Sequence, residues 1–371
     1  MSSIVYHRAE VENSKDFYTE YDDLVFFLNA DGRALMKNSV RLECEVRVLK
    51  DNAGTDIRIV DGDKVFMDNS VGLHCLIDNS NIEFQSSGSV EQINEYSRMV
   101  KMMEIATRDV NDYHSGLDIC EFKTPLEETT QALLFGSKSS ATGATDALDF
   151  IDNDGSFKPK FCLNKMSDDM SFSKTGYVKV SLNLAKVANV LYGKDVSSTN
   201  KYQLRNVRMC FKSVPDVSNN IQMRTMINLK STISSTLSNS QARVPSVCDG
   251  VSCCFMEASK ENVFKDCSTS MDVLTGINSV QFLFNDSSSN YISWVLDNNA
   301  EILANFVKSI ADTGHNQVNS NNDENNYGIG LSFPPTDLSN QKFNIQINSN
   351  HANISTNPYI IYMYFHSFIS L

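Results

Sequence analysis

Histidine and cysteine are the side chains in this sequence that could ligate a metal ion or act as an acid, a base or a nucleophile. His74 lies beside Cys75, and Cys248, Cys253 and Cys254 form a C-x4-C-C cluster. Both groups fall in segments with strand-like alternation, where adjacent side chains face opposite sides of a sheet. Neighbouring residues of this kind cannot ligate one ion without a bulge. We therefore interpret the cysteines as small buried hydrophobic residues.

Acidic residues offer a second kind of chemistry. Asp152–Gly155 resembles part of a calcium loop, but an EF-hand with Gly155 at its sixth position would place Phe150 first and Phe161 twelfth, where Asp and Glu are required. We interpret this segment as a surface turn. No phosphate-binding loop or nucleophile elbow occurs, and a carboxylate pair for glycoside hydrolysis is recognised only by its distance in space. The sequence therefore names no catalytic, cofactor-binding or metal-binding residue, and we predict that the protein is not an enzyme.

Lysines and phenylalanines are interleaved most densely between residues 157 and 179. The members of this stretch are Phe157, Lys160, Phe161, Lys165, Phe172, Lys174 and Lys179. A platform for single-stranded nucleic acid combines basic and aromatic side chains in this way, but Asp168 and Asp169 interrupt the positive charge. We interpret the stretch as a solvated strand edge and predict no specific nucleic-acid site. The single tryptophan, Trp294, is expected to pack in a core.

Composition limits the classes of protein that remain. The 371 residues carry 32 basic and 45 acidic side chains, a formal charge of 32 − 45 = −13, which argues against a surface that grips nucleic acid. The first ten residues lack the apolar core of a secretory signal, and the apolar run Pro358–Leu371 is too short to span a bilayer. Nine scattered cysteines, an odd number, indicate reduced thiols in a cytoplasm-like compartment.

Most of the chain alternates with period two and is rich in Val, Ile, Phe and Tyr, which predicts antiparallel strands with one solvated face. The predicted strands are Val40–Leu49, Gly72–Asp78, Asn81–Gln85, Phe157–Leu163, Tyr177–Leu184, Tyr202–Lys212, Ile221–Ile233, Ser246–Glu257, Ile277–Asn285, Tyr327–Phe333, Phe343–Asn348 and Tyr359–Ser370. The protein is therefore expected to be all-β, with a sandwich or barrel architecture.

Two helices are predicted among these strands. Ser89–Thr107 and Asn298–Ala311 each repeat apolar residues at spacings of three and four, and Asp297 or Asn298 is suited to cap the second helix. A shorter apolar stretch, Leu184–Leu191, fits a helical turn or a continued strand equally well.

The order of the elements repeats. In each half, strands are followed by a helix, then by a long polar loop at Gly136–Ser156 or Gly314–Asn326, and then by three strands. This pattern, without residue identity, predicts two related β-sandwiches in tandem that meet near Pro215. We expect an N-terminal arm at residues 1–24, a first sandwich at 25–215 and a second at 216–371. One large sandwich with insertions is the alternative.

Several segments, taken in order, resemble the double jelly-roll capsid proteins of virophages and polinton-like viruses. The segments are Asn38–Leu49, Asp68–Phe84, Tyr96–Ile105, Tyr202–Phe211, Ile227–Thr236, Arg243–Ser252, Ile277–Phe284, Tyr327–Phe333 and Phe343–Asn348, followed by the apolar final strand. The resemblance covers most of residues 25–371 and implies two tandem jelly-roll β-sandwiches with a helix in each half. A chain this short departs from the eukaryotic members, and a penton protein with one jelly roll and an inserted domain is the second possibility.

The resemblance also implies a function. It predicts a major capsid protein whose homotrimers form pseudo-hexagonal capsomers of an icosahedral virion, assembled in the host cytoplasm or a viral factory. Its partners would be other copies of itself, the penton protein and minor cement proteins, and the two long polar loops would form the outer crown. The penton alternative predicts a homopentamer. A glycan-binding jelly-roll module and a hydrolase with paired carboxylates are the alternatives from other classes.

Overall fold

A computed structural model describes the protein over residues 3–59, 65, 67–68, 71–107, 121, 154–193, 195–217, 220–244, 246–263, 271–272, 274–285, 291–311, 328–339 and 341–371. The two loops expected to form a crown, at 136–156 and 314–326, lie outside the described residues except for residues 154–156.

Strands dominate the described residues, as the period-two pattern predicts. The first half contains β1 (Val5–Glu10), β2 (Asp23–Leu28), β3 (Arg33–Leu35), β4 (Arg41–Asn52), β5 (Thr55–Arg58), β6 (Ile77–Phe84), β7 (Gly88–Ile93), β8 (Asp154–Phe157), β9 (Met170–Ser171), β10 (Val178–Leu184) and β11 (Lys201–Pro215). The second half contains β12 (Gln222–Ile233), β13 (Leu237–Ala242), β14 (Val247–Glu257), β15 (Ile277–Asn285), β16 (Tyr291–Leu296), β17 (Ile329–Asp337), β18 (Lys342–Ser349) and β19 (Tyr359–Ser370).

Two long helices and two short ones accompany the strands in the described ranges. The helices are α1 (Tyr96–Thr107), α2 (Phe172–Thr175), α3 (Val187–Val190) and α4 (Asn299–Ala311). Asn298 caps α4, since its side-chain oxygen accepts a hydrogen bond from the Glu301 backbone N–H at 2.8 Å. The predicted cap at Asn298 is therefore confirmed, and the undecided stretch after Leu184 is a helical turn.

Eight strands of the first half pair in jelly-roll order. One sheet contains β1–β11–β4–β8 and is extended by β3, β5 and β9, while the facing strands are β2–β10–β6–β7. Numbered along the chain, the eight strands pair as first–eighth–third–sixth and second–seventh–fourth–fifth. This is the arrangement of two Greek keys folded into a jelly roll.

The second half repeats this topology strand for strand. Its sheets are β12–β19–β14–β17 and β13–β18–β15–β16, all antiparallel. Helix α4 follows the fifth strand of this series, as α1 follows the fifth strand of the first. The protein is thus all-β with two tandem jelly rolls and a long helix in each half, as predicted.

The two jelly rolls share a sheet. A parallel bridge between Ile227 of β12 and Gln92 of β7 joins four strands from each half into one eight-stranded sheet. The first hydrophobic core extends beyond its own sandwich onto one face of β14 and β19, where it includes Cys254, Tyr362 and Tyr364. The second core lies on the other face of the same strands.

The ends of the two strand series bear on the expected domain division. β11 ends at Pro215 and β12 begins at Gln222, on either side of the expected boundary. Within the expected N-terminal arm, Val5–Glu10 is β1 and pairs with β11 over its full length, so these six residues are part of the first jelly roll. The division into residues 1–24, 25–215 and 216–371 stays a prediction.

Two predicted strands are wrong over part of their length. Residues 72–76 of the segment Gly72–Asp78 form a 3₁₀ helix because Gly72 has a φ of 57°, which the extended backbone does not allow. The strand predicted for Phe157–Leu163 ends at Phe157, since Pro159 has no N–H to donate to a neighbouring strand and Cys162–Asn164 is another 3₁₀ turn.

The first predicted helix begins later than expected. Gly88–Ile93 forms β7, which pairs with β6, and α1 starts only at Tyr96. Glu95 separates them with a φ of 53°, an uncommon conformation for a residue with a side chain. The Glu95 carbonyl accepts a hydrogen bond from the Tyr364 hydroxyl at 3.1 Å, so β19 of the second half holds this turn.

Packing of α4 against β17 gives a first prediction. A Cβ atom on Gly330 would lie 2.9 Å from Cβ of Ser309 on α4 and 3.0 Å from the Val251 carbonyl oxygen, whereas one on Gly250 would lie 3.2 Å from its nearest atom. We expect Gly330→Ala to lower the free energy of unfolding by about 1–3 kcal/mol and Gly250→Ala to lower it less. Chemical denaturation of the two variants checks this order, and an equal or larger loss in Gly250→Ala would contradict it.

Candidate functional site

Three polar side chains from different elements meet inside the second half. The Ser252 hydroxyl on β14 lies 2.7 Å from Nε2 of His366 on β19 and 2.7 Å from the Ser309 hydroxyl on α4. A serine beside a histidine is the pairing that activates nucleophiles in hydrolases. Here all three side chains are buried, and their hydrogen bonds join α4 to the two strands.

The cysteine cluster is structural, as the sequence predicts. Cys253 belongs to the second core and Cys254 to the first, so these neighbours face opposite sides of β14. Burial raises the pKa of the Cys254 thiol to about 12, which keeps it protonated and unreactive. Among the described residues, no group of three or more His, Cys, Asp or Glu side chains is placed to hold a metal ion.

His74 and Cys75 are also buried, although in a 3₁₀ helix rather than the predicted strand. Nδ1 of His74 lies 2.9 Å from the Tyr96 hydroxyl, and its ring packs edge-on against Phe157 with centroids 4.6 Å apart. The Cys75 thiol lies 3.8 Å from the Val190 carbonyl oxygen. The two side chains therefore have separate partners.

Within the described ranges, no helix has the length and apolar character needed to cross a membrane.

A basic cleft of about 700 Å³ opens where the two jelly rolls meet. Its walls come from the segment after β3, the segment after β8, the residues that follow the second 3₁₀ turn, and the start of β12. The cationic side chains among the described lining residues are Lys37, Lys158, Lys160, Lys165 and Arg224. Glu121 is the carboxylate on the same lining.

Hydrogen bonds fix the segments that form the cleft. The Asn164 side chain accepts from the Val40 N–H at 3.1 Å and donates to the carbonyls of Val40 and Pro159 at 3.0 and 2.7 Å. Beyond it, the Ser167 N–H donates to the Gln222 carbonyl at 2.8 Å. The bonds of Asn164 attach the cleft to the first jelly roll, and the bond from Ser167 to Gln222 attaches it to the second. The walls of the cleft therefore depend on both halves.

Lys165 of the cleft lining interacts electrostatically with the buried Glu91. Burial raises the pKa of the Glu91 carboxyl to about 7, although Lys165 nearby and the Cys162 N–H, which donates to Glu91 Oε2 at 2.9 Å, both act to lower it. Burial lowers the pKa of the Lys165 ammonium, and the neighbouring Lys160 and Arg224 add to this effect. Glu91 is therefore partly protonated near neutral pH.

The basic aromatic stretch is arranged differently from the sequence prediction. Lys160 and Lys165 line the cleft, while Phe157, Phe161 and Phe172 are buried in the core. A solvated strand edge is therefore wrong for the two lysines. The remaining cations, Lys37, Lys158 and Arg224, were not recognised in the sequence, because Lys37 and Arg224 reach the cleft through the pairing of distant strands. Lys158 lies within the predicted stretch, next to Phe157, but is not among the lysines that the sequence analysis selects.

Two residues singled out in the sequence have different outcomes. Trp294 packs against the second core, with its ring edge-on to Phe284 at 5.2 Å, so the prediction of core packing is confirmed.

Of the predicted surface turn at Asp152–Gly155, the first two residues lie outside the described ones. Asp154 and Gly155 belong to β8, where Gly155 is buried against Leu73, so the turn is wrong for these two.

The edge of the first jelly roll exposes several large apolar side chains. They lie on or beside β1 and β2 and are Ile4, Val5, Tyr6, Phe17, Tyr21, Phe27 and Tyr177. We call this surface the β1–β2 edge. Tyr6 is 74% exposed, and Phe27 packs edge-on against Tyr177 with centroids 5.2 Å apart. Exposed apolar side chains beside edge strands are typical of a contact surface.

The structure is similar along its whole length to several viral proteins of known structure. The Faustovirus major capsid protein matches with a TM-score of 0.60 and 8% identity, over 100% of this chain and 90% of its own. The VP54 protein of PBCV-1, fitted into a reconstruction of the virophage Sputnik, matches with a TM-score of 0.58 and 7% identity, over 100% and 95%. The 3.5 Å structure of the Sputnik virophage matches with a TM-score of 0.54 and 9% identity, over 100% and 86%.

The chain has the double jelly-roll fold. Topology and structural similarity agree on this point, and the expected resemblance to virophage and other double jelly-roll capsid proteins is confirmed at the level of structure. At identities this low, the likeness concerns the fold. The sequence itself matches no protein-family model and no curated protein.

Glu91 gives a prediction about pH. In the unfolded chain its carboxyl ionises near 4.5, whereas the folded state holds the proton up to about 7. Stability is therefore expected to fall as the pH rises between these values, by about 3 kcal/mol at most. Glu91→Gln keeps an acceptor for the Cys162 N–H and is expected to remove this loss.

Urea denaturation at pH 5 and pH 8 measures the effect. The exposed Glu12→Gln serves as the matched control and is expected to keep the pH dependence of the wild-type protein. An unchanged pH dependence in Glu91→Gln would show that the buried carboxyl is not its source.

Proposed function

We propose that this protein is a major capsid protein whose trimers form the pseudo-hexagonal capsomers of an icosahedral virion. The observation that carries the proposal is the complete jelly-roll order of both halves, in a chain that matches the Faustovirus major capsid protein along its full length. Two similar lobes side by side give three copies a six-lobed outline, and such a block tiles a hexagonal lattice.

The topology of the second half separates this proposal from the penton alternative. A penton protein of the expected kind would carry one jelly roll and a domain of another fold. Here β12–β19 form eight strands in jelly-roll order. The second half therefore favours the capsomer.

A head-to-tail contact between copies accounts for the exposed edges. β2 is the last strand at one end of the eight-stranded sheet, and β17 is the last at the other. The β1–β2 edge lies on the outer side of the first jelly roll, and Val295 on β16 is 53% exposed in the second. Contacts between unlike surfaces form a closed ring when the rotation from one copy to the next divides a full turn evenly. A ring of three copies, each with two lobes, would have the six-lobed outline.

The remaining partners follow from the same proposal. The virion would be the location of the mature protein, and fivefold vertices would require a separate penton protein, with minor cement proteins at the contacts between capsomers. Assembly in the host cytoplasm or a viral factory is part of this proposal. A non-enzymatic role agrees with the burial of Ser252, Ser309 and His366.

Oligomeric state tests the function. Light scattering of the purified protein is expected to give the mass of three 41.5 kDa chains. The double variant Tyr6→Asp with Phe27→Asp places charges on the β1–β2 edge and is expected to shift the protein to monomers, because burying unpaired carboxylates in a contact is costly.

Ser355→Asp adds a charge at an exposed turn away from this edge and is expected to remain trimeric. Circular dichroism of all variants verifies that they fold. A wild-type monomer at micromolar concentration would contradict the proposal, and a pentamer would favour the penton alternative.

A further inference from the structure

The basic cleft is the feature of the molecule that the proposed function does not use. Its described lining carries five cationic side chains and one carboxylate, in a protein whose formal charge is −13. Like charges gathered in a concave surface repel one another, and the cost of holding them together is offset when an anion binds among them. This concentration of positive charge therefore points to a ligand.

Neighbouring carboxylates neutralise only part of the positive charge. Glu104 pairs with Lys160 at 3.1 Å, and Asp249 pairs with Arg224 at 2.8 Å. In the described part of the chain, no ion pair joins a carboxylate to Lys158 or Lys165. Burial, and after it the nearby positive charges of Lys160 and Arg41, lower the pKa of Lys158 to about 8, although Glu121 acts to raise it.

Lys165 provides the second observation. The residue as a whole is partly exposed, but its ammonium nitrogen is shielded from solvent and has no hydrogen-bond partner among the described residues. Burying an ammonium without an acceptor is costly, so such groups normally have a partner. An anion in the cleft would supply the acceptor that the ammonium of Lys165 lacks.

We propose that the cleft binds a small anion that carries phosphate groups, held by Lys158 and Lys165. Phosphate oxygens accept charge-assisted hydrogen bonds from several lysines at once, and the multiple negative charge of a polyphosphate matches several cations. The cleft volume of about 700 Å³ lies within the range of small-molecule sites and is large enough for more than one phosphate group. This assignment does not depend on the capsid function.

Isothermal titration calorimetry with sodium tripolyphosphate tests the assignment. Saturable binding with one site per chain is expected. Lys165→Met and Lys158→Met keep the length of the side chain and remove its charge, and each is expected to weaken binding by about tenfold or more. The exposed Lys342→Met removes a charge outside the cleft and is expected to change the affinity less than about twofold.

Three results would overturn the assignment. These are the absence of binding at millimolar tripolyphosphate, an unchanged affinity in Lys165→Met, and an equal loss of affinity in Lys342→Met, which would indicate attraction by the general surface charge. Each of them leaves the oligomeric state, and with it the proposed capsid function, untouched.

Discussion

The rest of the structure depends on the burial of β14 and β19 on both of their faces. One face of these strands closes the second jelly roll through residues such as Phe255 and Phe365, and the other packs against α1 and α4. The Arg98 guanidinium of α1 lies 4.3 Å from the centroid of the Tyr362 ring, so a helix of the first half covers a strand of the second. Because the two jelly rolls share this layer, they form one block with two similar lobes.

The same junction explains where the chemically interesting groups lie. The Ser252 and His366 side chains, which resemble part of a catalytic set, are buried on the face of β14 and β19 that α4 covers. The basic cleft forms at the rim of the junction, where the segment after Asn164 pairs with the start of β12. Neither lobe alone would form the cleft, so it is a property of the fused pair.

The sequence predicts the long strands and the two tandem jelly rolls but not the sheet that they share, the short strands or the cleft. Strands such as β10 and β18 alternate between buried and more exposed residues over their full lengths of seven and eight residues, which makes their period visible in the sequence. β3 and β9 have three and two residues, too few for a period to be visible. The 3₁₀ helix that begins at Gly72 depends on the positive φ of this residue, which the alternation of apolar and polar residues does not reveal. Lys37 and Arg224 meet Lys165 only after distant strands have paired, so their cluster has no local pattern.

Equilibrium unfolding followed separately in each half tests the claim that the two jelly rolls form one block. The only tryptophan, Trp294, reports on the second half by its fluorescence, and the buried thiols of Cys44 and Cys162 report on the first by their reactivity with a thiol reagent during a short pulse. A shared layer predicts that both signals change over the same range of urea concentration. Two separate transitions, with one lobe still folded after the other has unfolded, would contradict it.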